Sequence, residues 1–379
     1  VVIVGAGAIG AACAFFLSGR GLRVHVVERA QVAAGTTSAC EGNVLVSDKA
    51  PGPELDLALY SQTVWRTDLA EHQHLWEFES KGGLVDAATD AERQALRALG
   101  EGQRRHGVVV EEVAADAIPD HEPHLRRGLA AAARYPQDAQ VHPILLAAHL
   151  LRLARLRGAT LSTGVEVTGL LRSPDGRVHG VRTSHGTVSS AYVVNAAGTA
   201  ATRIAAMAGV AVPVLPRRGF VLVTEPLPPM IRHKVYAAAY VASTLSSDEA
   251  LQTSTVIEGT PAGSILIGSS RERIGFDSRV SLDVIRALSA DALALFPGLA
   301  DVRVLRSYLG FRPYCPDHLP AIGLDPRAPG LAHAAGHEGA GIGLSVGTAK
   351  LLAQQVAGVP TDLGLESYSP GRFTQDVHR

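Results

Sequence analysis

Val1-Val2-Ile3-Val4-Gly5-Ala6-Gly7-Ala8-Ile9-Gly10 is the stretch whose reading decides the fold. A short apolar run leads straight into a GxGxxG turn, and a helix-like apolar segment, Ala11 to Leu17, follows. After Gly19-Arg20-Gly21 a second apolar run, Arg23 to Val27, ends at the acid Glu28. Strand, glycine turn, helix, strand and acid are the parts of a dinucleotide cradle. Gly5 permits the tight turn, Gly7 lets main chain approach a pyrophosphate, and Gly10 lets the helix pack closely on the sheet. The helix start offers free N–H groups and partial positive charge to phosphates. Glu28 stands where a carboxylate accepts hydrogen bonds from a ribose, and its charge disfavours a 2′-phosphate, so FAD or NAD is expected over NADP.

Bulk properties frame that reading. A chain of 379 residues, 46% apolar and 19% charged, is globular and long enough for two domains. A formal net charge of -1 and the lack of basic runs argue against a nucleic-acid partner. Cys13, Cys40 and Cys315 show no metal-ligand spacing and form no disulfide framework, which suits a reducing compartment. The first residues read as a core strand without a basic leader, so no signal peptide is expected, and no apolar run is long enough for a membrane span. The expected location is cytoplasmic, with association at the inner face of a membrane only through a partner.

Downstream, helical spacing of Leu55, Leu59, Trp65, Leu69, Leu75 and Phe78 predicts helix from Leu55 to Phe78. Gly83 to Asp86 reads as a strand, Asp90 as the cap of a helix to Arg105, and Val109 to Ile118 as helix then turn. His121-Glu122-Pro123 reads as a solvated loop. Pro143 starts a helix through Arg157. A hairpin turns at Asp175-Gly176, and Tyr192 to Asn195 is a buried strand ending in small residues. Strands at Arg218 to Glu225, Val235 to Val241, Leu251 to Ile257 and Ser264 to Ser269 suggest an antiparallel sheet unlike the first domain.

Gly35-Thr36-Thr37-Ser38 follows the acid, and Gly42 to Leu55 forms a proline-interrupted loop. Gly310-Phe311-Arg312-Pro313 is followed by Pro316-Asp317-His318-Leu319-Pro320-Ala321-Ile322-Gly323, and then by Gly336-His337-Glu338-Gly339-Ala340-Gly341-Ile342-Gly343. With the opening motif, these stretches resemble the FAD-dependent D-amino-acid oxidase (DAO) superfamily, of glycine and sarcosine oxidase type. The 42–55 loop is most similar to the subunits of hydroxyproline dehydrogenase, opine oxidase and cyanide-forming glycine dehydrogenase.

The resemblance implies an α/β fold: an FAD-binding Rossmann-like domain of the glutathione-reductase type with a second α+β substrate domain on an antiparallel sheet. Residues 1–50, 135–215 and 310–379 would form the first, and 51–134 and 216–309 the second. It implies FAD contacts at Gly5, Gly7, Ala8, Ile9, Gly10, Glu28, Arg29, Thr36, Thr37, Ser38, Asn43, Val167, Ala197 and Gly198. Further contacts would come from Gly310, Arg312, Gly336, His337, Glu338, Gly339, Gly341 and Ile342. Arg312 occupies the position that grips a substrate carboxylate, for which a planar guanidinium fork is suited. Tyr240 is a pocket candidate, and His337 stands close enough to tune the flavin. Cys40 could anchor flavin covalently, although a cysteine among small residues is more often buried filler. His318 stands where relatives commonly carry glycine.

The implied reaction is oxidation of the CH–NH bond of an amino or imino acid with a free carboxylate by hydride transfer to flavin N5. The substrate would be a D-amino acid, a proline-like compound or an N-substituted glycine. Redox partner subunits in a hetero-oligomer are part of the same expectation. The alternatives are an NAD-linked dehydrogenase and a mainly structural flavin subunit of a larger redox complex.

Overall fold

The computed structural model describes residues 1–238 and 248–373. Val2–Val4 forms a strand in the middle of a six-stranded sheet, parallel to His25–Glu28 on one side and Val193–Asn195 on the other. Thr160–Thr163 closes one edge, and Leu331–Ala335 then Ala321–Leu324 close the other. Ala321–Leu324 is the only antiparallel member among these.

Both faces of this sheet are covered, so its central strands read as continuous apolar runs rather than alternating ones. Ile3, Val26 and Val194 point into one core, shared with the helices Ala8–Gly19, Pro143–Leu156 and Gly341–Val356. Val2, Val4, Val27 and Val193 point the other way. There they pack on the helix Ala201–Met207 and the hairpin strands Val167–Arg172 and Val178–Thr183.

The second sheet has eight strands. In order they are Val304–Tyr314, Leu215–Thr224, Ile265–Arg271, Gln252–Gly259, Lys234–Ala237, Gly83–Ala87, Ala131–Tyr135 and Glu111–Ala114. Every pairing is antiparallel except that of Lys234–Ala237 with Gly83–Ala87. Phe220, Leu222, Ile257 and Ile267 on one face pack against the helix Leu282–Leu295, whose Ser281 side chain caps it through the Val284 N–H. The α/β class, with a parallel nucleotide sheet and a separate antiparallel sheet, is therefore the fold of this chain.

Three local expectations are corrected. Val109 to Ile118 is not a helix: Glu111–Ala114 is an edge strand, with only Val113 buried, followed by the short helix Ile118–His121. The cross-strand pair Arg134–Glu111, 2.6 Å, holds this edge, and solvated glutamates suit it. The cap of the helix Asp90–Arg105 is Thr89, not Asp90, in a capping box with Glu92. The run after Leu55 also breaks: the helix Pro53–Arg66 gives way to a 3₁₀ turn, Ala70–Trp76. The expected strand Val235 to Val241 is seen as Lys234–Ala237, and its far end lies outside the described residues.

Candidate active site

A long cleft runs from the glycine turn to the inner face of the eight-stranded sheet. At the nucleotide end it is lined chiefly by main chain. Gly5 has φ of 108° and donates its N–H to Val27 O at 2.8 Å. A Cβ there would lie 2.5 Å from Ala196 O, so no other residue fits. Gly7 sits at the start of the helix Ala8–Gly19, and the next amide, Ala8 N, donates to Thr37 Oγ1 at 3.0 Å. Gly10 lies off the cleft, where a Cβ would overlap Gly5 O. Its contribution is packing, as the spacing of the motif requires.

Glu28 Oε2 accepts from Ala6 N and Oε1 from Ala30 N, each at 2.8 Å. The carboxylate is thus fixed at the end of its strand and presented to the cleft. Ala8, Ile9, Arg29, Thr36, Val167, Ala197 and Gly198 also line this end, and Thr36 Oγ1 donates to Phe311 O at 2.7 Å. Ser38 does not join them. It is exposed and its hydroxyl donates to Gly35 O at 3.2 Å, because the Thr-Thr-Ser run is a 3₁₀ turn that points only its first two hydroxyls inward.

At the other end, Gly310 passes so near Ala39 that a Cβ would come within 2.6 Å of its side chain. Gly336, His337, Glu338, Gly339, Gly341, Ile342 and Asn43 close the cleft around the start of the helix Gly341–Val356. His337 is buried, with Nε2 3.0 Å from Thr348 Oγ1. Burial pulls its imidazole down to about 3, so the ring is neutral and contributes shape and dipole rather than charge. Glu338 is the opposite case. Burial alone would raise it, but hydrogen bonding with His318 and the charges of Arg217 and Arg271 hold its carboxyl down to about 2. Its bond to Arg217 is 2.6 Å long. His318 has φ of 59°, a left-handed conformation that glycine adopts more easily than histidine.

Arg312 lies on the cleft wall, with Nη1 donating to Ser270 O at 2.8 Å. A Cβ on Gly219 would overlap that same nitrogen, so the bare backbone of the neighbouring strand makes room for the guanidinium. Tyr240 lies outside the described residues. Cys40 also lines the cleft, but burial pushes its thiol up to about 12, so it is not a ready nucleophile.

Sequence reasoning passed over the charged side chains around Arg312. Glu41 lines the cleft and is 7% exposed. Lys234, 1% exposed, bonds both Glu258 and Asn43. The available signal was a charge at an otherwise apolar or small-residue position: Glu41 between Cys40 and Gly42, Lys234 before Val235, Glu258 after Ile257. Glu122, expected in a solvated loop, is fully buried and accepts from the Arg232 and His233 amides, far from this chemistry in role.

Residues 1–355 match the family model described as DAO, FAD dependent oxidoreductase. Glycine oxidase from Geobacillus kaustophilus is 30% identical, over 100% of this chain and 98% of that protein. The crystal structure of that oxidase superposes with a TM-score of 0.88, covering 98% of each chain. Hydrogen cyanide synthase subunit HcnC from Pseudomonas aeruginosa is 28% identical, over 98% of this chain and 96% of the relative. The crystal structure of L-proline dehydrogenase from P. horikoshii shares the fold at a TM-score of 0.89 and 24% identity, covering 98% of this chain and 96% of the other.

Proposed function

The chain belongs to the DAO family of FAD-dependent oxidoreductases, so FAD rather than NAD is its cofactor, and from that premise we propose that it oxidises the CH–NH bond of an amino or imino acid. The cleft fits FAD on its own evidence. Gly5 and Gly310 line it and leave no room for a side chain, since a Cβ would strike Ala196 O or Ala39, and Glu28 holds a fixed carboxylate where a ribose would lie. FAD, when bound, supplies at N5 the acceptor for the hydride that leaves the substrate's α-carbon. Gly5, Gly7, Ala8, Glu28, Thr36 and Thr37 would hold the nucleotide part, and Asn43, Gly310 and Gly336 to Ile342 the ring part. In this reading residues 1–50, 135–215 and 310–379 carry the cofactor, and 51–134 and 216–309 shape the substrate side.

The observation that carries the reading is the placement of Arg312. Its guanidinium is anchored on Ser270 O and faces the cleft beside the turn at Gly339. A planar, permanently charged fork held in one orientation is suited to a carboxylate, and holding the acid fixes its α-carbon for reaction. The relative named glycine oxidase supports an amino-acid substrate, and the description of HcnC as a subunit supports a partner chain. Proline-like acids remain our preferred class, on the resemblance of the 42–55 loop.

The test is anaerobic bleaching of the flavin by a panel of amino acids and their decarboxylated amines. Acids should bleach it and amines should not. Arg312→Ala removes two charge-assisted hydrogen bonds, each about 1.5–3 kcal/mol, so kcat/KM should fall roughly a hundredfold or more while FAD content stays normal. Equal bleaching by acid and amine would remove the clamp from the account.

A further inference from the structure

We propose that Glu41 is the substrate-ammonium acceptor: it binds the ammonium opposite the carboxylate grip of Arg312 and takes one proton from it before the α-hydrogen leaves. The inference rests on the amino-acid reading above and adds the group that makes the amine reactive.

Three observations meet at Glu41. It lines the cleft, it is 7% exposed, and among the described residues its Oε1 has no hydrogen-bond partner. A buried carboxylate oxygen left without a donor is costly unless a ligand supplies one. Lys234, the cation whose charge acts most strongly on Glu41, is bonded to Glu258 and Asn43.

The spacing also suits an α-amino acid. A Cβ on Gly268 would lie 2.7 Å from Glu41 Oε1, while Arg312 Nη1 sits on Ser270 O. Gly268 and Ser270 are two residues apart on the strand Ile265–Arg271, so their backbone positions lie at most about 7 Å from each other. One α-carbon bearing an amine and a carboxylate, with a charge-assisted hydrogen bond of about 2.8 Å at each end, spans such a gap.

The surrounding charges agree. Glu41 is faced by Lys234, Glu258, Arg271 and Arg312, with Cys40 and Tyr308 beside it. Burial pushes both Cys40 and Tyr308 up, so neither carries charge at neutral pH. Three cations against two carboxylates leave one positive charge for a substrate carboxylate to cancel. Burial raises the Glu41 carboxyl above the ordinary range, with Glu258 adding to the shift and Lys234, Arg312 and Arg271 opposing it. A base so raised is better matched to an ammonium proton.

The step balances simply. An N–H bond of the ammonium breaks as an O–H bond forms on Glu41, and the nitrogen keeps the electron pair. That pair forms the C=N bond as the α-hydrogen departs with its own bonding pair to FAD.

The experiment uses FAD-loaded enzyme and two acids that have no α-hydrogen, 2-aminoisobutyrate and pivalate, which differ in ammonium against methyl. Binding is followed by calorimetry. Wild type should prefer 2-aminoisobutyrate by roughly tenfold or more, and Glu41→Gln should bring the two acids to within about threefold by weakening the amino acid alone. In anaerobic reduction by an oxidisable amino acid, the acidic limb of the wild-type pH profile should vanish in Glu41→Gln. The rate should then rise with pH toward the amine's own ionisation. Equal wild-type affinity for the two acids overturns the proposal without any variant, as does a Glu41→Gln enzyme with an unchanged preference or pH profile. If neither acid binds, the carboxylate grip at Arg312 is what has failed, and this proposal falls with it.

Discussion

The two ends of the cleft are built from different materials. At the nucleotide end the walls are main chain, and side chains serve mainly to fix it: Thr37 holds Ala8 N, and Glu28 ties Ala6 N to Ala30 N. At the end proposed for substrate, charged side chains gather: Glu41 and Arg312 line the cleft, and Lys234, Glu258 and Arg271 surround Glu41, the five contributed by four strands and a loop. Backbone recognition suits a ligand that never changes. Side-chain charge suits one that can differ between relatives on one fold.

The sharpest way to break that contrast is to disturb one end and look for damage at the other. Gly5→Ala forces a Cβ to 2.5 Å from Ala196 O at φ of 108°. Overpacking and the left-handed backbone together cost about 3 kcal/mol, so FAD affinity of the apoprotein should fall roughly a hundredfold, and activity with it. Titration of apoprotein with FAD checks this, and unchanged affinity would mean the turn can reshape.

Gly219→Ala acts at the other end. Its Cβ overlaps Arg312 Nη1, so the guanidinium must leave Ser270 O. The expected result is a loss of about tenfold in kcat/KM for an acid substrate, from one misaligned charge-assisted bond. Flavin content should remain normal. Flavin loss in this variant would show that the two ends are not separable.

The last prediction concerns Glu338, at the ring end of the cleft, and reads stability rather than activity. Its carboxyl is lowered from 4.5 to about 2 in the folded chain. A depressed acid contributes stability that is present above its unfolded value and is lost as pH falls through the folded one. Between about pH 4.5 and 2 wild type should therefore lose on the order of 2–3 kcal/mol that Glu338→Gln never had. Denaturant melts across that range check the difference, and parallel curves would refute the pairing with Arg217 and His318.

The same contrast explains what could be read before the structure. Gly5, Gly7, Gly10 and Glu28 declare themselves because a backbone cradle needs particular residues at fixed spacing along one stretch of chain. Arg312 was visible for the same reason, inside a contiguous Gly-x-Arg-Pro motif. Glu41, Lys234 and Glu258 were not, since their meaning arises only when distant strands pair. Lys234–Ala237 lies between Gln252–Gly259 and Gly83–Ala87, and no local pattern states that register. Glu111–Ala114 was misread as helix because an edge strand with one buried residue lacks clean alternation.

The placement of Val2–Val4 has a consequence in time rather than in space. The strand lies between His25–Glu28, made soon after it, and Val193–Asn195, made much later, with Leu331–Ala335 beyond. During synthesis one side of the strand before the glycine turn therefore has no partner until the chain has been made through Asn195. Gly5 meets Ala196 only then. The pocket that admits the cofactor closes late, so a supply of FAD at that moment can capture the newly paired sheet and draw folding to completion by mass action.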